Sequence, residues 1–235
     1  MTANAPRDPL VILLYTLTVT TGLIDAVSVL GLGRVFTANM TGNIVFMGFA
    51  VGGAPGFSIP RCLVAVASFL FGAAIAGRLG KAMENAPRRR WLSIIAGIEA
   101  GLFFVSALIA AGYDIKSLEP AVHLYAMIVM TGIAMGLRNA TVRRLSVADL
   151  TATVLTLTLT GIAADSSIAG GANPRWGRRV AAVVLMFLGA ALGAALVLSA
   201  GLAAPLWLTG VAVLLATFLY TRHPDSQLSQ KQAQA

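Results

Sequence analysis

Apolar and polar positions alternate in long blocks rather than at a short period. Six apolar stretches, at residues 10–30, 62–82, 91–111, 121–137, 180–200 and 202–220, carry at most two charges each. Each approaches or exceeds the ~20 residues that a helix needs to cross a bilayer. Two further stretches, 36–53 and 147–164, are apolar but interleaved with Thr, Asn and Gly. Residues 222–235 hold glutamines and serines without apolar periodicity, which predicts a disordered cytoplasmic tail.

The blocks repeat. Gly22-Leu23-Ile24-Asp25-Ala26 matches Gly136-Leu137-Arg138-Asn139-Ala140 at an offset of 114, and Thr41-Gly42-Asn43 falls on Thr156-Leu157-Thr158 at 115. Phe69-Leu70-Phe71-Gly72-Ala73-Ala74 resembles Phe187-Leu188-Gly189-Ala190-Ala191 at 117 or 118. Three matches in order at a nearly constant offset imply a duplicated unit of span, polar segment, span, span. The first unit is 1–112 and the second 113–221.

Charge decides how the units sit. If both polar segments cross, eight Lys and Arg fall inside and nine outside; if each dips in and returns, fourteen fall inside, with only Arg34, Arg61 and Lys116 outside. The positive-inside bias selects the second arrangement. The predicted fold is therefore an all-α integral membrane protein with six transmembrane helices plus two re-entrant or broken helical segments. It forms two inverted three-helix repeats with both termini cytoplasmic. Such repeats build many transporters, with re-entrant segments entering from opposite faces and meeting near the midplane. Non-helical backbone is tolerated at that depth only beside protein or a watery cavity.

Composition agrees with a bilayer environment. Of 235 residues, 57% are hydrophobic and 11% charged, and mean hydropathy is +0.83, against about 25% charged in soluble domains. The net charge of +8 comes from clusters beside apolar runs, so it points to membrane orientation and not to nucleic acid. One cysteine, Cys62, excludes an internal disulfide framework, and His123 and His223 lack metal-ligand neighbours. No H-E-x-x-H, P-loop or GxGxxG pattern occurs, so neither enzyme chemistry nor a cofactor is expected. Residues 10–20 could form the core of a signal peptide, but no A-x-A site follows and the residues after Thr20 recur mid-chain, so cleavage is not expected.

Candidate site residues follow from cost. Asp25 and Glu99 lie inside spans, where a carboxylate is expensive unless paired, protonated or hydrated; both are proton-coupling candidates. An Asp25–Arg138 pair across the pseudo-twofold is one expectation, a structural cap another. In the first re-entrant segment, Thr37, Asn39, Thr41 and Asn43 would line a site at a half-helix N-terminus suited to an anion. Thr153, Thr156 and Thr158, with Arg138 and Asn139, would serve the second half. The alternative is that these side chains merely bond their own turn or a neighbouring helix. Small-residue pairs at Gly48/Gly52, Gly97/Gly101, Gly132/Gly136 and Gly189/Gly193 read as close helix packing.

The runs Gly22-Leu23-Ile24-Asp25-Ala26-Val27-Ser28 and Val35-Phe36-Thr37-Ala38-Asn39-Met40-Thr41-Gly42-Asn43 resemble the YoaK-like family of bacterial inner-membrane proteins. So does Gly136 to Ala140 with Arg143-Arg144-Leu145 and Thr153-Val154-Leu155-Thr156, although Leu157 stands where relatives often carry Gly. The resemblance covers about residues 10–220 and implies a small polytopic protein of the bacterial inner membrane, a domain of unknown function. On the repeat itself rests the expectation of a secondary transporter or exporter of a small anionic or zwitterionic solute, with a channel or a non-transporting membrane partner protein as alternatives. The expected partners are a small-molecule or ion substrate and the lipid bilayer; a homo-oligomer stays open.

Overall fold

A computed structural model describes residues 9–145 and 155–228. Eight helices carry the fold: α1 (Pro9–Gly31), α2 (Met40–Val51), α3 (Ile59–Ala82), α4 (Arg88–Ala110), α5 (Ala121–Leu145), α6 (Leu155–Ala164), α7 (Trp176–Ala200) and α8 (Ala203–Thr221). Six of them, all but α2 and α6, are long and apolar enough to cross a membrane. Among the described residues there is no strand, only an isolated bridge between Asp114 and Glu119.

Local chemistry explains the helix ends and interiors. Prolines stand in the first turns of α1, α3 and α8, where a missing N–H is harmless. Gly201 ends α7 at φ +76°, letting the chain reverse within two residues into α8. In α1 the hydroxyls of Thr16, Thr18, Thr20 and Thr21 donate to carbonyls one turn back, at 2.8–3.1 Å. That lets four threonines sit in an apolar helix without unpaired O–H groups. Helix α5 continues eight residues beyond its predicted end at 137 because Arg138 is buried in an ion pair and Arg143 and Arg144 emerge at its last turn.

Two apolar clusters mark the two ends of the bundle. One joins Ile24 and Val27, after the middle of α1, and Leu32, just beyond its end, with Cys62 and Ala65 at the start of α3, Phe103 and Ala107 of α4, Leu124 and Met127 of α5, Val197 of α7 and Leu206 of α8. The other joins the opposite ends: Leu10–Leu17 of α1, Ala76, Trp91, Ile95, Val142, Ala182 and Tyr220. The six long helices thus alternate in direction. Helix α3 starts at the end where α1 finishes, and α7 starts where α5 finishes. We call the end that carries Arg78, Lys81, Arg89, Arg90, Arg143, Arg144, Arg175, Arg178 and Arg222 the basic end.

Helices α1, α4, α5 and α8 form the centre: α4 packs on α5 and α8, α1 on α8 and, lightly, on α5. Outside them α7 lies on α1 and α3 on α5; α2 leans on α3, and α6 on α7. Glycines permit the two closest crossings. A β-carbon at Gly22 would strike the Met186 and Ala190 backbone of α7, and one at Gly136 the Phe69 and Ala73 backbone of α3. Likewise Gly189 abuts Val19 and Gly72 abuts Ile133. The expected packing role therefore holds for Gly132/Gly136 and Gly189/Gly193. It fails at Gly97/Gly101, where the space beside both glycines is open, and at Gly48/Gly52, which meets no other helix.

Of the tail expected to be disordered, residues 222–228 are ordered, and residues 229–235 lie outside the described residues. Residues Pro224–Gln227 form a 3-10 turn in which the Ser226 hydroxyl, fully buried, donates to Thr221 O (3.0 Å) and His223 O (2.7 Å). The Arg88 amide then donates to Leu228 O at 2.9 Å. A free amide at the start of α4 needs an acceptor, and the tail supplies it.

Candidate functional site

Glu99 lies between Ala96, which belongs to the apolar cluster of the basic end, and Phe103, which belongs to the other. Arg138 lies where α5 passes from one cluster to the other. The two side chains are 3% and 1% exposed and form an ion pair. Arg138 Nε donates to Glu99 Oε1 at 2.7 Å and Nη2 donates to the same oxygen. From α1, Thr21 Oγ1 and Leu17 O accept from Nη1 at 3.0 and 3.3 Å. Thr21 in turn donates to Leu17 O at 2.8 Å. The Phe103 ring lies 5.7 Å from the guanidinium carbon, a cation–π distance. Three central helices are thereby tied together by one buried cation.

Beside the pair is a cavity of about 20 Å³ walled by α1, α4, α5 and α8, including Thr141 and Thr217. It has room for about one water molecule. Thr141 Oγ1 is buried without a protein partner among the described residues. So is Thr209 Oγ1, on α8 between Leu206 and Val213 of the two clusters. The Asp25 carboxylate is one turn beyond Thr21 on the same face of α1. Its Oδ1 is buried and accepts no hydrogen bond among the described residues. The centre therefore holds one guanidinium, two carboxylates and several hydroxyls, closed toward both ends by apolar side chains.

The other predicted site residues are distributed differently. Arg138 bonds Glu99 in place of the expected Asp25, and Asn139 donates to Met135 O of its own helix at 2.8 Å. Asn43 is fully buried, but its amide is spent on the chain itself: Oδ1 accepts from Phe36 N at 2.9 Å and Nδ2 donates to Phe36 O at 2.6 Å. Asn39 caps α2, accepting from Gly42 N at 3.3 Å. Thr37 is buried with Oγ1 unpartnered, whereas Thr41 and Thr156 are exposed and Thr158 is buried on α6. Thr153 lies outside the described residues. Helices α2 and α6 touch α3 and α7 and not each other, so the described parts of the two polar segments do not meet. Thr21, Thr141 and Phe103 are the members of the centre that sequence reading passed over. The signal for Thr21 was present: a hydroxyl four residues before an in-span carboxylate.

The loop between α4 and α5 closes the end opposite the basic one. The Tyr113 hydroxyl donates to Gly31 O, at the end of α1, at 3.0 Å. Burial above all pushes its phenol up to about 12, against the lowering effect of Arg61. Asp114 accepts from the Ser117 hydroxyl at 2.7 Å and from the Lys116 and Ser117 amides at 3.1 and 3.2 Å. Those bonds, the Ser117 hydroxyl's first, hold its carboxyl below the ordinary range.

Residues 13–219 match the family described as "Protein of unknown function (DUF1275)". The chain is similar to the "UPF0700 transmembrane protein YoaK" of Bacillus subtilis (strain 168), with 34% identity over 167 residues, which is 71% of this chain and 70% of that protein. No solved structure matches.

Proposed function

The chain belongs to the DUF1275 family of proteins of unknown function, and from its buried centre we propose that it is a secondary transporter for a small anionic or zwitterionic solute. The observation that carries this reading is the Glu99–Arg138 pair, fully buried at the junction of four central helices and flanked by an apolar seal on each side. Ionisable groups so deep in a membrane protein are costly and mark solute or proton pathways. One guanidinium offers a carboxylate or phosphate a partner, and two carboxylates offer the same to an ammonium. Asp25, with Oδ1 unpaired, is the proton carrier in this reading, and Glu99 the group released when solute takes its place on Arg138. A cavity of about 20 Å³ between two seals favours alternating access over a standing pore.

Helix pairing supports an inverted repeat. Helix α3 against α5 corresponds to α7 against α1, α4 against α5 to α8 against α1, and α2 against α3 to α6 against α7. The glycine crossings recur at the sequence offsets, Gly22 with Gly136 and Gly72 with Gly189. Three long helices per unit require the second unit to be upside down. Helix α2, 12 residues or about 18 Å, is too short for a ~30 Å core, which supports a segment that enters and returns. The basic end is assigned to the cytoplasm, with both termini there and the protein in a bacterial inner membrane.

Flux in proteoliposomes under an imposed pH gradient, across amino acids, organic acids and phosphorylated metabolites, tests the proposal. Wild type is expected to accumulate one class of solute, Asp25→Asn to lose the dependence on the gradient, and Glu99→Gln to lose accumulation. A solute carried equally by all three would overturn the assignment of these residues.

A further inference from the structure

A crevice of about 760 Å³ runs between α1, α7 and α8, separate from the buried centre. We propose that it holds one acyl chain of an anionic phospholipid from the leaflet at the basic end, with Arg178 meeting the phosphate.

The first argument is the division of polarity along the crevice. Arg178 lines it within the first turn of α7 and, half-buried, makes no ion pair or side-chain hydrogen bond among the described residues. Its neighbour Arg179 has an acceptor in Gly161 O at 2.6 Å and an ion pair with Asp165 at 2.7 Å. Tyr15, nearer the same end of α1, lines the crevice with no hydrogen-bond partner among the described residues. Farther in, the walls are Val19, Leu23, Leu185, Leu192 and Leu208. The Thr16 and Thr20 hydroxyls there donate to Ile12 O and Thr16 O, so they make no demand on an occupant. A partly desolvated cation without a counter-ion among the described residues, above an aliphatic slot, is complementary to a phosphate carrying a hydrocarbon chain.

The second argument is length. The slot extends along α1 from Val11 to Leu23, about 18 Å at 1.5 Å per residue, and one leaflet's hydrocarbon is about 15 Å, half of a ~30 Å core. Its mouth lies at headgroup level, because Trp176, two residues before Arg178, is 52% exposed and exposed tryptophans gather at the membrane interface. Ile12, Leu192 and Leu208 remain exposed along the crevice, so it opens to the outside of the bundle, where lipid is the neighbour.

Delipidated full-length protein in detergent micelles would be titrated with phosphatidylglycerol or phosphatidylcholine of identical chains, with bound lipid counted by native mass spectrometry and stability followed by thermal midpoint. One phosphatidylglycerol per protein should survive dilution, preferred about fivefold over phosphatidylcholine, the factor expected for one basic side chain at a membrane surface. Arg178→Gln should erase the preference while leaving the thermal midpoint without lipid unchanged, and Arg178→Lys should restore it. Leu192→Trp, which fills the slot, should remove retention of both lipids. Preference kept in Arg178→Gln, retention kept in Leu192→Trp, or equal stabilisation by inorganic phosphate alone would each overturn the proposal.

Discussion

Removing Glu99 alone should be far more damaging than removing Glu99 and Arg138 together. In the native protein Arg138 gives two of its donors to Glu99 Oε1 and shares a third nitrogen between Thr21 Oγ1 and Leu17 O. Glu99→Leu leaves a buried cation hydrogen-bonded to two neutral acceptors and to no carboxylate. Loss of one partner of a buried pair costs about 3–5 kcal/mol, so the folded-to-unfolded ratio falls more than about a hundredfold. Arg138→Met alone strands the carboxylate by the same reasoning. The double variant Glu99→Leu with Arg138→Met removes both desolvation penalties and restores apolar packing of similar volume; its stability should fall between neutral and a gain of about 1–4 kcal/mol. Equilibrium unfolding of the four proteins in one mixed-micelle system closes the cycle, and solute flux measured on the same preparations separates folding from function. The double variant should be folded and inactive. If the two single losses simply add in the double variant, or if the double variant transports normally, the buried pair is neither a pair nor the centre of the site.

Four further outcomes follow from the packing and the loops. Gly22→Ala and Gly136→Ala should each lower stability by about 1–3 kcal/mol, because the added methyl meets backbone of the neighbouring helix, whereas Gly97→Ala, in open space, should be neutral or raise it by up to about 1 kcal/mol; thermal midpoints in detergent rank them. Asn43→Ala should cost about 1–3 kcal/mol by orphaning the Phe36 amide and carbonyl and should speed hydrogen exchange at Phe36, yet leave solute affinity unchanged. Cys62 is 1% exposed, so topology is better read in a Cys62→Ala background: Lys116→Cys should react with an impermeant maleimide on intact cells and Asn85→Cys only after permeabilisation, and the reverse pattern would sink the assigned orientation. The α4–α5 loop should keep the same amide protection, relative to the intrinsic exchange rate at each pH, from pH 8 to 5: the lowered carboxyl of Asp114 contributes order that is present above the unfolded value, near 4, and lost as pH falls through the lower folded one. Protection already lost at pH 6 would contradict this.

Much of this was legible in the chain. Six apolar blocks and the offset of 114 between the Gly22 and Gly136 runs depend only on local composition and repetition, and both describe the helices and their crossings well. The partner of Arg138 was not legible. Repeat arithmetic set Asp25 opposite Asn139 and so suggested its neighbour, but an ion pair depends on the rotation of each helix about its axis. Rotation brings Glu99 of α4, not Asp25, onto the guanidinium. The place of α2 was hidden for a related reason: a short apolar helix has no sequence mark for the neighbour it leans on. Asn43 looked like a ligand because a buried amide in a polar run and a clasp on the Phe36 backbone read identically until the backbone is folded.

The glycine crossings carry a consequence for how the chain comes together. Helix α1 is locked to α7 and α3 to α5, so every tight crossing joins the first half of the sequence to the second. Neither half contains the backbone groove that its own glycines fit. A ribosome releasing residues 1–112 has produced α1, α3 and α4 before the helices they pack on most closely exist, and a chain cut in the α4–α5 loop yields two fragments that are each incomplete but mutually complementary. Co-expressed, they should reassemble by interleaving rather than by docking side by side, which makes the two halves of the gene interlocking pieces and not separable modules.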